Sequence, residues 1–235
     1  CSKKSSHKEF IAVQDFLDNY QPIKEYEDSR ALLRSIIDLT VRLRLNWTSP
    51  ARQDDDVFSD VRGSDKLRTG TGFILSVVGP VTNESCPCEV CCGQTVAKSW
   101  RFLVRTARHM VYDTVEAQET QVDFFYDDDE IGKKETVRAL KVVKSYPERD
   151  ICEMLCVTHD EDLAGRVQSA YLFLDFISLV LKDEWQVLVV SHPHGKPKKI
   201  TVGVGRSGTS QQPLLLLGYN AATCPGSSGA PVVLL

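Results

Sequence analysis

The chain has no long hydrophobic run. Its longest apolar stretch, residues 171–181, is broken by Asp175 and falls short of the roughly 20 residues that a membrane-spanning helix needs. It also has no excess of basic residues. The 28 Lys and Arg against 32 Asp and Glu leave a formal charge of −4, which gives no general pull toward nucleic acid. No secretory leader is visible. The sequence opens at Cys1 instead of a methionine, so the expectation is that the natural N-terminus lies upstream. What remains, 42% hydrophobic and 26% charged, is the composition of an ordinary soluble globular protein.

Periodicity divides the chain into four parts. Residues 7–46 read as helical. Phe10, Val13, Phe16 and Leu17 follow a helical spacing, and Leu32, Leu33, Ile36, Ile37, Thr40, Leu43 and Leu45 share one face behind an Asp28/Ser29 cap. Polar residues 48–68 read as a solvated linker. Segments 122–126 and 136–143 alternate as a hairpin, closed by the acidic turn 127–132, which is expected at an exposed tip. After Asp160-Glu161-Asp162, the residues Leu163, Val167, Tyr171, Leu174, Ile177 and Leu181 recur at helical spacing. Strands are expected near 186–191, 198–205, 214–219 and 230–235.

Three short elements carry chemistry. In Gly226-Ser227-Ser228-Gly229-Ala230-Pro231, glycines bracket a serine, as a tight turn requires when it must expose Oγ and aim backbone N–H groups at one spot. Upstream lie Thr106-Ala107-Arg108-His109 and Asp150, which opens an alternating segment. A serine hydroxyl is a poor nucleophile until an imidazole takes its proton, and the imidazole needs a carboxylate to fix its tautomer. Each element alone has an ordinary explanation: a loop serine, a core or surface histidine, a turn aspartate. Together they occur in the order His, Asp, Ser.

These elements resemble the chymotrypsin-like serine proteases, which share that order. Val190 to Gly195 with Ile200 to Gly203 resembles the hairpin that opens the second barrel of HtrA/Deg-type members. Cys86 to Cys91, Ser191 to Gly195 and Thr223 to Pro231 are similar to elements of a group of invertebrate trypsin-like proteins. The resemblance covers about residues 69–235, with Gly70 to Ile74 as the first barrel strand. It implies a mainly β, chymotrypsin-like double barrel with an N-terminal helical segment and an inter-barrel helix. The expected divisions are 1–62 (helices and linker), 63–159 (first barrel), 160–184 (inserted helix) and 185–235 (second barrel). It implies a peptide-bond hydrolase acting on polypeptide, with His109, Asp150 and Ser228 catalytic. The N–H groups of Gly226 and Ser228 would form the oxyanion hole, Ala222 with Thr223 would lie at the primary specificity pocket, and catalysis would need no cofactor.

The sequence departs from that pattern in three places. About fifty residues after Trp185 are too few for a six-stranded barrel, so the cleft-lining strand is expected to be missing. Ser227 stands where zymogens carry the activating aspartate, and no Ile-Val-Gly-Gly start precedes the barrel, so no activating cleavage is expected. Met110 replaces the cysteine usual beside the base histidine.

Eight cysteines remain: Cys1, Cys86, Cys88, Cys91, Cys92, Cys152, Cys156 and Cys224. The separation Cys88-x-x-Cys91 suits a zinc knuckle. Cys86, Cys88, Cys91 and Cys92 are the candidate ligands, with Cys152 and Cys156, on one strand face with Asp150, as further candidates. Structural zinc is favoured over disulfides, with a redox pair as the third option, because the chain otherwise reads as intracellular. Two glycosylation triplets, at Asn46 and Asn83, matter only in a secreted protein. His192 and His194 are explained by the hairpin without a metal. Besides the peptidase, an inactive protease-fold scaffold stays open, with its N-terminal helices as a protein-binding surface and the cysteine loop as a metal-stabilised prop.

Overall fold

The computed structural model describes residues 7–19, 27–88, 90–130, 134–174, 184–207 and 217–234. In chain order the elements are β1 (Ile11–Ala12), α1 (Val13–Asn19), α2 (Glu27–Leu39), β2 (Thr40–Leu45), β3 (Arg68–Ser85), β4 (Thr95–Ala107), α3 (Thr114–Gln118), β5 (Thr120–Phe124), β6 (Glu135–Tyr146), β7 (Ile151–Thr158), α4 (Glu161–Leu174), β8 (Glu184–Ser191), β9 (Lys199–Ser207), β10 (Leu217–Tyr219) and β11 (Val232–Leu234). The side chains of the expected Asp28/Ser29 cap, the continuation of α4 through Ile177 and Leu181, and Cys1 lie outside the described residues.

The protein is mainly β and is built on two antiparallel sheets, one of them closed into a ring. Six strands close into a ring in the order β2-β3-β4-β7-β6-β5. A second sheet runs β1-β9-β8-β11, with β10 pairing beyond β1 along the same edge of β9, and it stays open among the described residues.

The helical reading of 7–46 is corrected at 40–45, which is the first strand of the ring. Val41, Leu43 and Leu45 are fully buried, while Arg42 and Arg44 turn the other way onto Asp123. That is a period of two, which strands obey and helices do not. Thr40 closes α2 by donating its hydroxyl to the Ile36 carbonyl at 2.8 Å. The strand holding Gly70 to Ile74 is therefore the second of the ring. Its core gathers Leu39, Ile74, Phe102, Val104, Val122, Phe124 and Met154, and α4 lids it with Leu163, Ala164 and Val167. Asp160 caps α4 by accepting from the Leu163 N–H at 2.9 Å, as its sequence suggested.

Strand β8 is apolar on both faces, because both are covered. Leu188 and Val190 pack with Val13, Phe16, Leu17, Leu33, Ile36 and Ile37 of α1 and α2, while Val187 and Val189 pack toward Ala221 and Ala230. The apolar stripe of the N-terminal helices is thus packed on the protein's own second sheet. The supposed linker is not simply solvated either. Thr48, Ser49 and Arg52 are buried, because the segment folds back over the end of β4. Asp127 is likewise no exposed tip. It pairs with Lys198, whose fully buried ammonium lies 2.9 Å away, and with Arg34 at 3.3 Å.

Candidate active site

His109 sits in the turn that ends β4, where Met110 and Val111 donate back to the Ala107 carbonyl. Asp150 stands just before β7 in the left-handed region (φ 52°), which aspartate tolerates better than most residues. There it meets the turn three times. Its carbonyl accepts from Arg108 N–H at 2.9 Å, Oδ1 accepts from His109 N–H at 2.8 Å, and Oδ2 accepts from His109 Nδ1 at 2.6 Å. The carboxylate is half exposed, so direct bonds hold it in place and burial contributes little.

The turn is braced from behind by a buried ion pair. Arg52 and Glu116, both without exposed side-chain surface, bond in a two-pronged fork at 2.7 Å, and Arg52 Nη2 also donates to the His109 carbonyl at 2.9 Å. Burial alone would raise the Glu116 carboxyl. The hydrogen bond from Arg52, the charge of Arg68 and the N–H groups of Tyr112 and Ser49 outweigh it and hold its pKa below the usual range.

Ser228 lies on the turn between β10 and β11. Two glycines shape it, and neither tolerates a side chain. Gly226 (φ +96°) has the His192 carbonyl 2.5 Å from where a Cβ would stand. Gly229 (φ +86°) would thrust a Cβ against the Thr71 carbonyl. Thr71 of β3 pins the turn to the ring. Its N–H donates to the Ser228 carbonyl at 2.9 Å, and its hydroxyl donates to the Gly226 carbonyl at 2.8 Å. The Pro225 carbonyl is drawn away onto the His194 N–H at 2.6 Å. The N–H groups of Gly226 and Ser228 donate to no acceptor among the described residues. Ser227 turns inward, and its hydroxyl lies 3.0 Å from that of Ser191.

His109, Gly226 and Ser228 line one cavity of about 390 Å³, whose walls include Phe58, Met110 and His194. No direct hydrogen bond joins the Ser228 hydroxyl to the His109 ring among the described residues. On its other side Ser228 borders a second cavity of about 360 Å³, lined by Val189, Tyr219, Thr223, Cys224 and Ala230. Thr223 faces that cavity. Ala222 is buried beside it, with its carbonyl taken by the Thr201 hydroxyl at 2.8 Å.

The expected cysteine group is brought together only in part. Cys86, Cys88 and Cys91 converge in the β3–β4 loop, which joins the second and third strands of the ring, and their partner is His159. Cys92 is exposed and stands apart from that group. Cys152 and Cys156 are ruled out as ligands here. They point into the ring core with no exposure, and burial pushes both thiols up to about 12. Asp150 does not share their face, because its left-handed backbone lies outside the strand.

His159, Arg52, Glu116 and Thr71 were not singled out from the sequence. Only strand pairing and loop return bring them to their places. The histidines of the second hairpin part company. His192 is fully buried and stacks on Tyr126, while His194 turns to the cavity, where its Nε2 lies 3.1 Å from that of His7.

No family model matches the chain, and no curated protein matches it in sequence. Some solved structures are similar to it in structure. The Rv3671c protease from M. tuberculosis in its active form is 18% identical over 86% of this chain and 67% of that one, with a TM-score of 0.43. Deg5 is 15% identical over 90% of this chain and 81% of its own, with a TM-score of 0.47. Among the described residues, no helix is long and apolar enough to cross a membrane.

Proposed function

We propose that this protein is a serine endopeptidase that cleaves polypeptides through an acyl-enzyme. The observation that carries the reading is the double hold of Asp150 on His109 in the wall of the cavity that Ser228 shares. With Nδ1–H given to Asp150, the ring presents Nε2 as the base. Ser228 Oγ attacks the scissile carbonyl carbon as its proton passes to His109 Nε2. The carbonyl oxygen takes the negative charge and is met by the Gly226 and Ser228 N–H groups. Collapse breaks the C–N bond, and His109 returns the proton to the leaving amine. Water then attacks the ester by the same route, which frees the acid and restores Ser228. No step calls for a cofactor.

A fluorophosphonate probe tests this directly. The probe should label Ser228 of the folded protein, and Ser228→Ala and His109→Ala should each abolish labelling. Folded protein that takes no label, or labelling that survives both substitutions, would overturn the reading.

A further inference from the structure

We propose that Cys86, Cys88, Cys91 and His159 bind one tetrahedral zinc ion, which clips the β3–β4 loop to the junction between β7 and α4. The three sulfurs surround a single nitrogen. His159 Nε2 lies 3.4 Å from Cys86 Sγ, 3.4 Å from Cys88 Sγ and 3.3 Å from Cys91 Sγ, and all four atoms fall within 4.8 Å of one another. A zinc ion with Zn–S of about 2.3 Å and Zn–N of about 2.05 Å gives tetrahedral S···N edges of about 3.6 Å. The group already stands close to that shape.

The imidazole is set for the task by its other nitrogen. His159 Nδ1 donates to the Lys98 carbonyl at 3.0 Å, which fixes the tautomer that turns the Nε2 lone pair toward the sulfurs. Antiparallel pairing of β4 with β7, which sets Trp100 beside Thr158, brings the histidine there from some seventy residues away in the chain. The loop is held in shape independently of any ion. The N–H groups of Cys91 and Cys92 share the Cys88 carbonyl, while Cys86 and Gly93 bond across the base of the loop.

A disulfide between any two of the three would draw that pair to about 2.05 Å and away from their common distance to Nε2. Three soft thiolates with one imidazole select zinc among the common divalent ions. Four protein ligands leave no open position, so the role is structural. The site also stands apart from the candidate active site. His159 and Asp150 flank opposite ends of β7, whose eight residues span on the order of 25 Å at roughly 3.3 Å each.

Elemental analysis of the protein purified under reducing conditions should give about one zinc per chain. Cys88→Ser, Cys91→Ser and His159→Ala should each lose the metal, His159→Cys should keep it, and Cys92→Ser should keep it. Chelation should lower the melting temperature by several degrees, and added zinc should restore it. If a variant fails to fold, cobalt exchanged into the unaltered protein should give the thiolate charge-transfer and visible bands of a tetrahedral Cys3His site. Protein without zinc that shows no such bands, or zinc that survives His159→Ala but not Cys92→Ser, would overturn the proposal. Metal content and cobalt spectra do not depend on whether Ser228 takes a probe, so this idea and the peptidase reading can fail separately.

Discussion

Asp150 grips His109 at two points, with one carboxylate oxygen on the backbone N–H at 2.8 Å and the other on ring Nδ1 at 2.6 Å. The same side chain therefore fixes both where the ring stands and which of its nitrogens carries the proton. Asn at position 150 separates the two tasks. It tolerates the left-handed backbone, and its carbonyl oxygen can still take the His109 N–H, so the turn should survive. Its NH2 would then face Nδ1 and favour the tautomer with the proton on Nε2, where it is useless to Ser228. Asp150→Asn should leave circular dichroism and melting temperature nearly unchanged and slow probe labelling of Ser228 by orders of magnitude, roughly 10⁴-fold by analogy with other triads. Labelling at the unaltered rate would show that Asp150 is only a structural tether.

The cavity beyond Ser228 bears on substrate choice. Among the described residues, its lining of Val189, Tyr219, Thr223, Cys224 and Ala230 contains no carboxylate, and the adjoining Ala222 offers none. A lysine or arginine side chain entering it would leave a cation desolvated and unpaired, at a cost of several kcal/mol. The protein should therefore cleave after small or apolar residues. A peptide-library cleavage profile checks this, and a dominant preference for arginine or lysine would refute it.

His192 predicts how stability responds to acid. Burial, followed by the nearby Lys198 charge, pushes its pKa down to about 3, and it is neutral in the fold. An unfolded histidine titrates near 6.5, so between these values the unfolded chain binds the extra proton and acid favours unfolding. This stability is complete above about pH 6.5 and is lost progressively below it, to the extent of about 2 kcal/mol at pH 5. Glu116, Asp123 and Asp127 are held below the usual carboxylate range despite burial, by their arginine and lysine partners, so their losses belong to lower pH. Chemical denaturation of the parent at pH 7 and 5 should show the drop, and His192→Asn should flatten it. Equal slopes for parent and variant would remove His192 as the cause.

Local sequence carried the glycine-bracketed Ser228 turn, His109 and Asp150 as candidates, because each is a short segment whose geometry depends on its own residues. Gly226 and Gly229 are needed by their own positive φ, and Asp150 follows the turn that Pro147 opens. The β5–β6 hairpin and the start of α4 were legible for the same reason. Segment 40–45 was misread because its leucines continue the helical spacing of α2 for one more turn. The arginine–aliphatic alternation within it was the better signal, and closure of the ring decides the matter. His159 gave no signal. It is one histidine after a strand until β4 pairs with β7 and carries it to the cysteines. Arg52 was equally hidden, because a buried guanidinium among aspartates reads as solvated until Glu116 arrives from 64 residues away.

Thr71 gives the site a mechanical property. Ser228 belongs by chain to the second sheet, yet its turn is sewn to β3 by the two Thr71 bonds. His109 ends β4, and β4 is zipped to β3 through Phe73 and Arg105. The Ser228 turn and the His109 turn thus ride on one hairpin of the closed ring. The two residues proposed to react are anchored to the ring, while the second sheet, through Val189 and Tyr219, supplies walls of the cavity beside them.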